Sequence, residues 1–188
     1  MKYIAKIAIV LFTFWLAIPT VAQTPKKEVR AFWLSTVWRL TWPKTTVISN
    51  TGNAQEIQEQ KDELIMLLDF QVRGRCDAMY KSSYEPWSSD LVATRGMDPG
   101  YDPLLFAVEE AHKRGIEIHA WFNPYRYESV LHQWDGTPQN YRESHPEWLL
   151  DYSDGSILNP AMPEVRDHIT AIIQEVVQNY DIDGVVFD

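Results

Sequence analysis

The 188-residue sequence holds one cysteine, Cys76, so neither an intrachain disulfide nor a cysteine-rich zinc site is open to it. Basic residues are also few: 17 Lys and Arg stand against 26 Asp and Glu, a formal charge of −9. A chain this acidic lacks the clustered positive charge that attracts nucleic acid or anionic membranes, so no nucleic-acid partner is expected. No glycine-rich fingerprint follows the first strand-like segment, which removes the main reason to expect a dinucleotide or nucleoside triphosphate. Ser35, Ser88 and Ser156 sit in no G-x-S-x-G elbow. His112, His119, His132, His145 and His168 show no H-E-x-x-H spacing. No metal and no cofactor is therefore expected. Cys76 has no His or other base beside it in sequence to activate a thiolate.

What is present reads as globular, with 45% hydrophobic and 23% charged residues, and with eight tryptophans to be accounted for. Lys2 and Lys6 open the chain, Ile7 to Ile18 is largely apolar, and Pro19 breaks the run before Thr20-Val21-Ala22. That pattern predicts a secretory signal peptide over 1–22, with cleavage after Ala22. The run is shorter than the roughly 20 residues a spanning helix needs, so no stable membrane anchor is expected after cleavage. The expected product is an exported domain, 23–188, periplasmic or secreted.

Residues 29–37, Val-Arg-Ala-Phe-Trp-Leu-Ser-Thr-Val, predict a buried strand. Ile57, Leu64, Ile65, Leu67 and Leu68 predict a helix from Ala54 to Asp69, and Phe70 to Arg73 a second strand. Leu68-Asp69-Phe70 contains no Gly, Pro or Asn to turn a helix into a strand, so this unit reads as shortened. The next helix is better marked: Asp102 is the expected N-cap, Pro103 the first helical residue and Gly115 the C′ residue. Ile116 to Asn123 predicts a third strand, Pro163 to about Asn179 a helix, and Val185 to Asp188 a fourth strand. The alternation β, α, β, α, β, α, β predicts a parallel sheet with helices packed outside it.

Along the third strand Ile118, Ala120 and Phe122 form an apolar face suited to helices, and Glu117, His119, Trp121 and Asn123 form the other. In a β/α barrel the second face would point inward, with Asn123 at the carboxyl end, where such barrels place chemistry. The same parity puts Gly184, Val186 and Asp188 inside, and Gln71 and Arg73 end the second strand in a similar way. Converging polar groups of this kind suit a sugar: carboxylates for chemistry, Asn and Arg for hydroxyls, Trp121, Tyr125 and Tyr127 for the flat face of a pyranose. Each residue also has a plainer reading. Trp121 serves as packing, His119 as a hydrogen-bonded core residue, and Glu117 as a partner for a base. Trp33, Trp38, Trp42 and Trp87 have the same alternative, as core or loop packing.

Glu28 to Val37 with Trp42-Pro43, Phe70-Gln71-Val72-Arg73 with Asp77 and Tyr80, and Glu85-Pro86-Trp87-Ser88 resemble segments of the glycosyl hydrolase-like 10 family. So do Pro99 to Leu104, His112 to Gly115, His145 to Trp148, Leu158-Asn159-Pro160 and Asp183 to Asp188, in the same order. His119-Ala120-Trp121-Phe122-Asn123-Pro124-Tyr125-Arg126 is the most specific of them. The resemblance implies a (β/α)8 TIM-type barrel that hydrolyses glycosidic bonds in cell-envelope or other extracellular glycans. Peptidoglycan strands stripped of peptide are one such substrate, and the expected partner is a polysaccharide or other glycan. It implies Asp188 as catalytic carboxylate, and Arg73, Asp77, His119, Trp121, Asn123, Tyr125, Arg126 and Asn159 as substrate-binding residues. A complete barrel takes about 250 residues. The sequence therefore reads as the first four β/α units, a fragment inactive alone because the second carboxyl group is expected from a later strand. A catalytically silent carbohydrate-binding protein is the alternative, and an unstable remnant a third.

Overall fold

The computed structural model describes residues 33–44, 46, 54–64, 69–129 and 140–188. The expected leader, the start of the first strand and residues 65–68, which include Leu68 of the expected short junction, lie outside the described residues.

Four strands form one parallel sheet: β1 (Trp33–Leu34), β2 (Asp69–Arg73), β3 (His119–Phe122) and β7 (Gly184–Phe187), side by side in that order. Leu34 pairs with Phe70, Phe70 with Ala120, and Ala120 with Val185, so one row of apolar residues crosses the sheet. That row meets helices α1 (Ala54–Leu64), α2 (Pro103–Lys113) and α4 (Pro163–Asn179). Leu104 and Val108 of α2 and Val165, Ile169, Ile172 and Val176 of α4 are buried in the same core as Phe70, Ile118, Ala120 and Phe122. Each such Leu, Val, Ile or Phe side chain contributes about 1.5–3 kcal/mol on leaving water. The expected α/β fold with a parallel sheet is what the chain forms.

Helix α2 forms where its end signals stand. In α2 the Asp102 side chain accepts from Leu105 N–H at 3.0 Å, and Pro103 follows it. At the other end Gly115 takes φ +68° and its N–H donates to the His112 carbonyl, while Ile116 N–H reaches the Ala111 carbonyl. This is a Schellman cap, and it needs a residue tolerant of the left-handed region. Asp102 does more than cap, because its second oxygen accepts from Lys81 N–H and from the Tyr180 hydroxyl.

Three expected boundaries shift. The strand expected at 116–123 is confined to 119–122, since Ile116 N–H is used in the helix cap and Ile118 N–H donates to the Asp183 carboxylate at 2.8 Å. The helix expected to reach Asp69 is described to Leu64, and Asp69 already belongs to β2. Beyond Leu34 the first strand gives way to a 3-10 turn, Val37–Arg39, in which Trp38 and Arg39 both have positive φ.

A second sheet was not expected. Antiparallel strands β4 (Arg126–Ser129), β6 (Gly155–Leu158) and β5 (Leu149–Tyr152) lie in that order, joined by a short helical turn α3 (Tyr141–Ser144) and a 3-10 turn at Pro146–Trp148. Gly155 permits it: a Cβ there would stand 2.1 Å from the Glu128 carbonyl oxygen. Among the described residues no helix is long and apolar enough to cross a membrane.

Candidate active site

The helix-free face of the parallel sheet carries Trp33, Gln71, His119, Trp121 and Val186. Register explains the grouping, since Gln71 pairs with Trp121 and Trp121 with Val186. Trp33 stands edge-on to Trp121 at 5.2 Å and remains 54% exposed. Beneath these rings Gln71 is buried.

At the carboxyl ends of the four strands a line of hydrogen bonds runs across the sheet. Gln71 Oε1 accepts from the backbone N–H of Thr36 at 2.8 Å and of Val37 at 2.9 Å, and from the Ser35 hydroxyl at 3.2 Å. Gln71 Nε2 donates to Asn123 Oδ1. Asn123 Nδ2 in turn donates to Asp188 Oδ2 at 3.2 Å. The exits of β1, β2, β3 and β7 are thus linked in spatial order, and the line ends on the exposed carboxylate of Asp188.

The loop after β2 uses similar residues differently. Arg73 is fully buried, and all five of its N–H groups are engaged. Nε and Nη2 donate to the two Glu85 oxygens at 2.7 and 2.6 Å, Nη1 to the carbonyls of Asn123 and Pro124, and Nη2 also to Cys76 Sγ. Arg75 pairs with Asp90 at 2.6 Å. Asp77 accepts from Arg75 N–H at 3.0 Å and from the Ser88 hydroxyl at 2.6 Å. Cys76 is buried among these groups, and burial pushes its thiol up to about 12, which leaves it protonated and unreactive.

The structure places the expected site residues in different surroundings. Arg73 and Asp77 are buried in this loop, hydrogen-bonded to its own groups and, for Arg73, to the carbonyls that follow β3. Asn123 is buried as well, with its amide divided between Gln71 and Asp188. Asn159 closes a turn before α4, its Oδ1 accepting from Ala161 N–H at 3.0 Å. Tyr125 packs half-buried on the core. His119, by contrast, lies on the open side, its ring against Gly184 and its Nε2 3.9 Å from the Glu117 carboxylate. Trp121 is half-buried beside Trp33. Arg126 lines a separate cavity of about 410 Å³ with Trp38, Arg75, Glu128, Ser129, Tyr152 and Asp154. Neither Asp188 nor His119 lines it. Glu128 is held there by Arg142 at 2.8 Å.

Gln71 and Glu85 were not expected as key residues. The parity of β2 was the available signal for Gln71; for Glu85 only the opposite charge of Arg73 pointed the way. Among the described residues no group of three or more His, Cys, Asp or Glu is arranged to hold a metal ion.

A parallel sheet with helices on one side and an acid, two amides and a hydroxyl gathered at its carboxyl ends defines an α/β scaffold of the kind that places chemistry at strand ends. The chain belongs to the glycosyl hydrolase-like 10 family, whose profile matches residues 28–188. It is 37% identical over 195 residues to glycosyl hydrolase YngK of Bacillus subtilis, covering 97% of this chain and 37% of that protein. To glycosyl hydrolase DigH of Escherichia coli K12 it is 36% identical over 190 residues, covering 90% of this chain and 43% of that protein. The chain thus spans well under half the length of these curated relatives. Among solved structures, the maltogenic alpha-amylase AmyB of Thermotoga neapolitana aligns with a TM-score of 0.46 at 13% identity, covering 79% of this chain and 36% of that one.

Proposed function

We propose that these residues are the first four units of a (β/α)8 barrel that cleaves glycosidic bonds, with Asp188 as a catalytic carboxylate. The observation that carries this reading is the Asp188 carboxylate at a strand's carboxyl end, held by a buried amide donor from the neighbouring strand. In a retaining mechanism such a group attacks the anomeric carbon, and a second carboxyl group about 5–5.5 Å away protonates the leaving oxygen. That second group is proposed to come from the part of the relatives' length that this chain does not span, so residues 1–188 alone are expected to release no reducing sugar. Trp33 and Trp121 on the open side would meet the apolar face of a sugar ring. The proposed substrate is a cell-envelope or extracellular glycan, peptidoglycan strands included, reached by export through the segment at 1–22.

The test uses a protein of full family length carrying these residues. Asp188→Asn is expected to lower hydrolysis by roughly 10³-fold or more while leaving glycan binding intact, because the change removes a reacting group and little volume. A variant as active as the parent would remove Asp188 from the chemistry. Binding without turnover in both forms would favour a silent carbohydrate-binding protein, a reading that the exposed rings of Trp38 and Tyr152 beside the cavity support.

A further inference from the structure

We propose that Gln71 is a positioning residue that fixes the orientation of the Asn123 amide and, through it, presents a donor rather than an acceptor to Asp188. The inference rests on the reading of Asp188 as the reacting carboxylate, and deepens it.

An amide side chain can be turned over so that its oxygen and nitrogen exchange places, and only its partners decide which way it lies. At Gln71 two partners are backbone N–H groups, those of Thr36 and Val37, at 2.8 and 2.9 Å. Backbone N–H groups donate and never accept, so the atom they meet must be Oε1. The Thr36 hydroxyl also donates to the Gln71 carbonyl at 2.9 Å, which ties the two backbones together. With Oε1 committed, Nε2 is the atom that faces Asn123, and nitrogen of an amide donates only. Asn123 must answer with Oδ1. Its Nδ2 is then left facing Asp188, with Oδ2 at 3.2 Å and the backbone oxygen at 3.4 Å.

Each step leaves one choice. Both amides are buried, so water cannot substitute for a partner and release the orientation. Two backbone donors at the exit of β1 thereby determine, three strands away, that the Asp188 carboxylate is met by N–H. A glutamine is needed at 71 because the position requires an acceptor at one end and a donor at the other. A carboxylate has no donor for Asn123, and a methionine has no donor and only a weakly accepting sulfur.

The experiment is NMR on the labelled 188-residue chain, reading nuclear Overhauser contacts from the Asn123 Nδ2 protons. In the parent chain these protons are expected to show contacts to the Asp188 Cβ protons, with the Asn123 amide in a single orientation. Contacts to the Gln71 Cγ protons without contacts to Asp188 would overturn the proposal before any variant is made. In Gln71→Met, which keeps the volume, the Asn123 amide is expected to lose its single orientation and the contact to Asp188 to weaken at least twofold. A folded Met variant with the parent's contacts unchanged would also overturn it. If the Met variant does not fold, the parent's contacts remain the deciding measurement.

Activity adds a second readout in a protein of full family length. There Gln71→Met is expected to lower kcat about 10- to 100-fold with KM within about twofold, as loss of one charge-assisted hydrogen bond in the reacting state would. Should Asp188→Asn leave hydrolysis intact, the catalytic reading fails while the amide orientation stands on the NMR contacts. Should the contacts fail while Asp188→Asn abolishes hydrolysis, only the role of Gln71 is lost.

Discussion

Two polar clusters lie within a few residues of one another in sequence and have opposite character. The loop after β2 pairs Arg73 with Glu85 and Arg75 with Asp90, and Asp77 with a serine hydroxyl, all out of water. The line from Gln71 through Asn123 to Asp188 uses neutral amides and ends on an exposed acid. Residue type does not separate the two. What separates them is whether each carboxylate is closed off by a buried arginine or hydroxyl inside the fold, or whether a carboxylate ends the line beside an amide that is already committed. A charged residue in a family motif is therefore as apt to hold the scaffold as to meet a ligand, and hydrogen-bond accounting tells which.

The contrast can be broken from the side of the loop, where the largest effect lies. Glu85→Ala would leave the Arg73 guanidinium buried and unpaired, and is expected to cost about 3–5 kcal/mol in urea unfolding. A loss below 1 kcal/mol would mean that water reaches Arg73 and that the loop is not the closed unit described above.

A smaller effect is expected where α4 meets the second sheet. Burial, with the positive charges of Arg73 and His145, lowers His168 to about 4, and its Nε2 lies 2.7 Å from the Tyr141 hydroxyl. The folded chain thus holds a neutral imidazole hydrogen-bonded to the Tyr141 hydroxyl, whereas the unfolded chain takes up a proton below about pH 6.5. Stability should be complete above that pH and be lost as the pH falls toward about 4, by about 1 kcal/mol once partial solvent screening is allowed for. Unfolding measured at pH 7 and at pH 4.5 for the parent and for His168→Gln checks it. The loss shared by other groups will remain in the variant, and the difference between the two chains belongs to His168.

The smallest effect sharpens the comparison from the other side. Asp188→Asn keeps shape, and an amide oxygen still accepts from Asn123, so unfolding free energy is expected to stay within about 0.5 kcal/mol of the parent. Set beside Glu85→Ala, two acids in the same family match would differ several-fold in their importance to the fold. A destabilisation at Asp188 as large as that at Glu85 would erase the distinction.

The parts of this fold legible in the sequence were those written locally. Asp102, Pro103 and Gly115 bracket α2 because a cap is made by residues next to the helix it ends. Alternation along β3 told its two faces apart, since neighbouring side chains on a strand point to opposite sides. The antiparallel sheet was missed because its strands are four residues each and pair across intervening turns. Asp154-Gly155, where the two-residue turn after Tyr152 enters β6, was a local turn signal there. The burial of Arg73 and Asp77 was illegible for another reason. Their partners stand 12 and 11 residues away in a loop with no periodicity, so nothing in the order of residues showed which charges would close on each other. Gln71 is the extreme case, since its contacts lie 35 and 52 residues away and exist only once three strands are in register.

The carboxylate of Asp102 has a consequence for how the chain reaches this arrangement. One oxygen starts α2, and the other gathers Lys81 N–H from the loop and the Tyr180 hydroxyl from the end of α4. Segments 21 and 78 residues distant are thereby tied to the first turn of a helix. Each of the three is held by the same carboxylate, so loop ordering, helix initiation and the arrival of α4 are coupled through it. Native-state hydrogen exchange would register them as one unit that opens together.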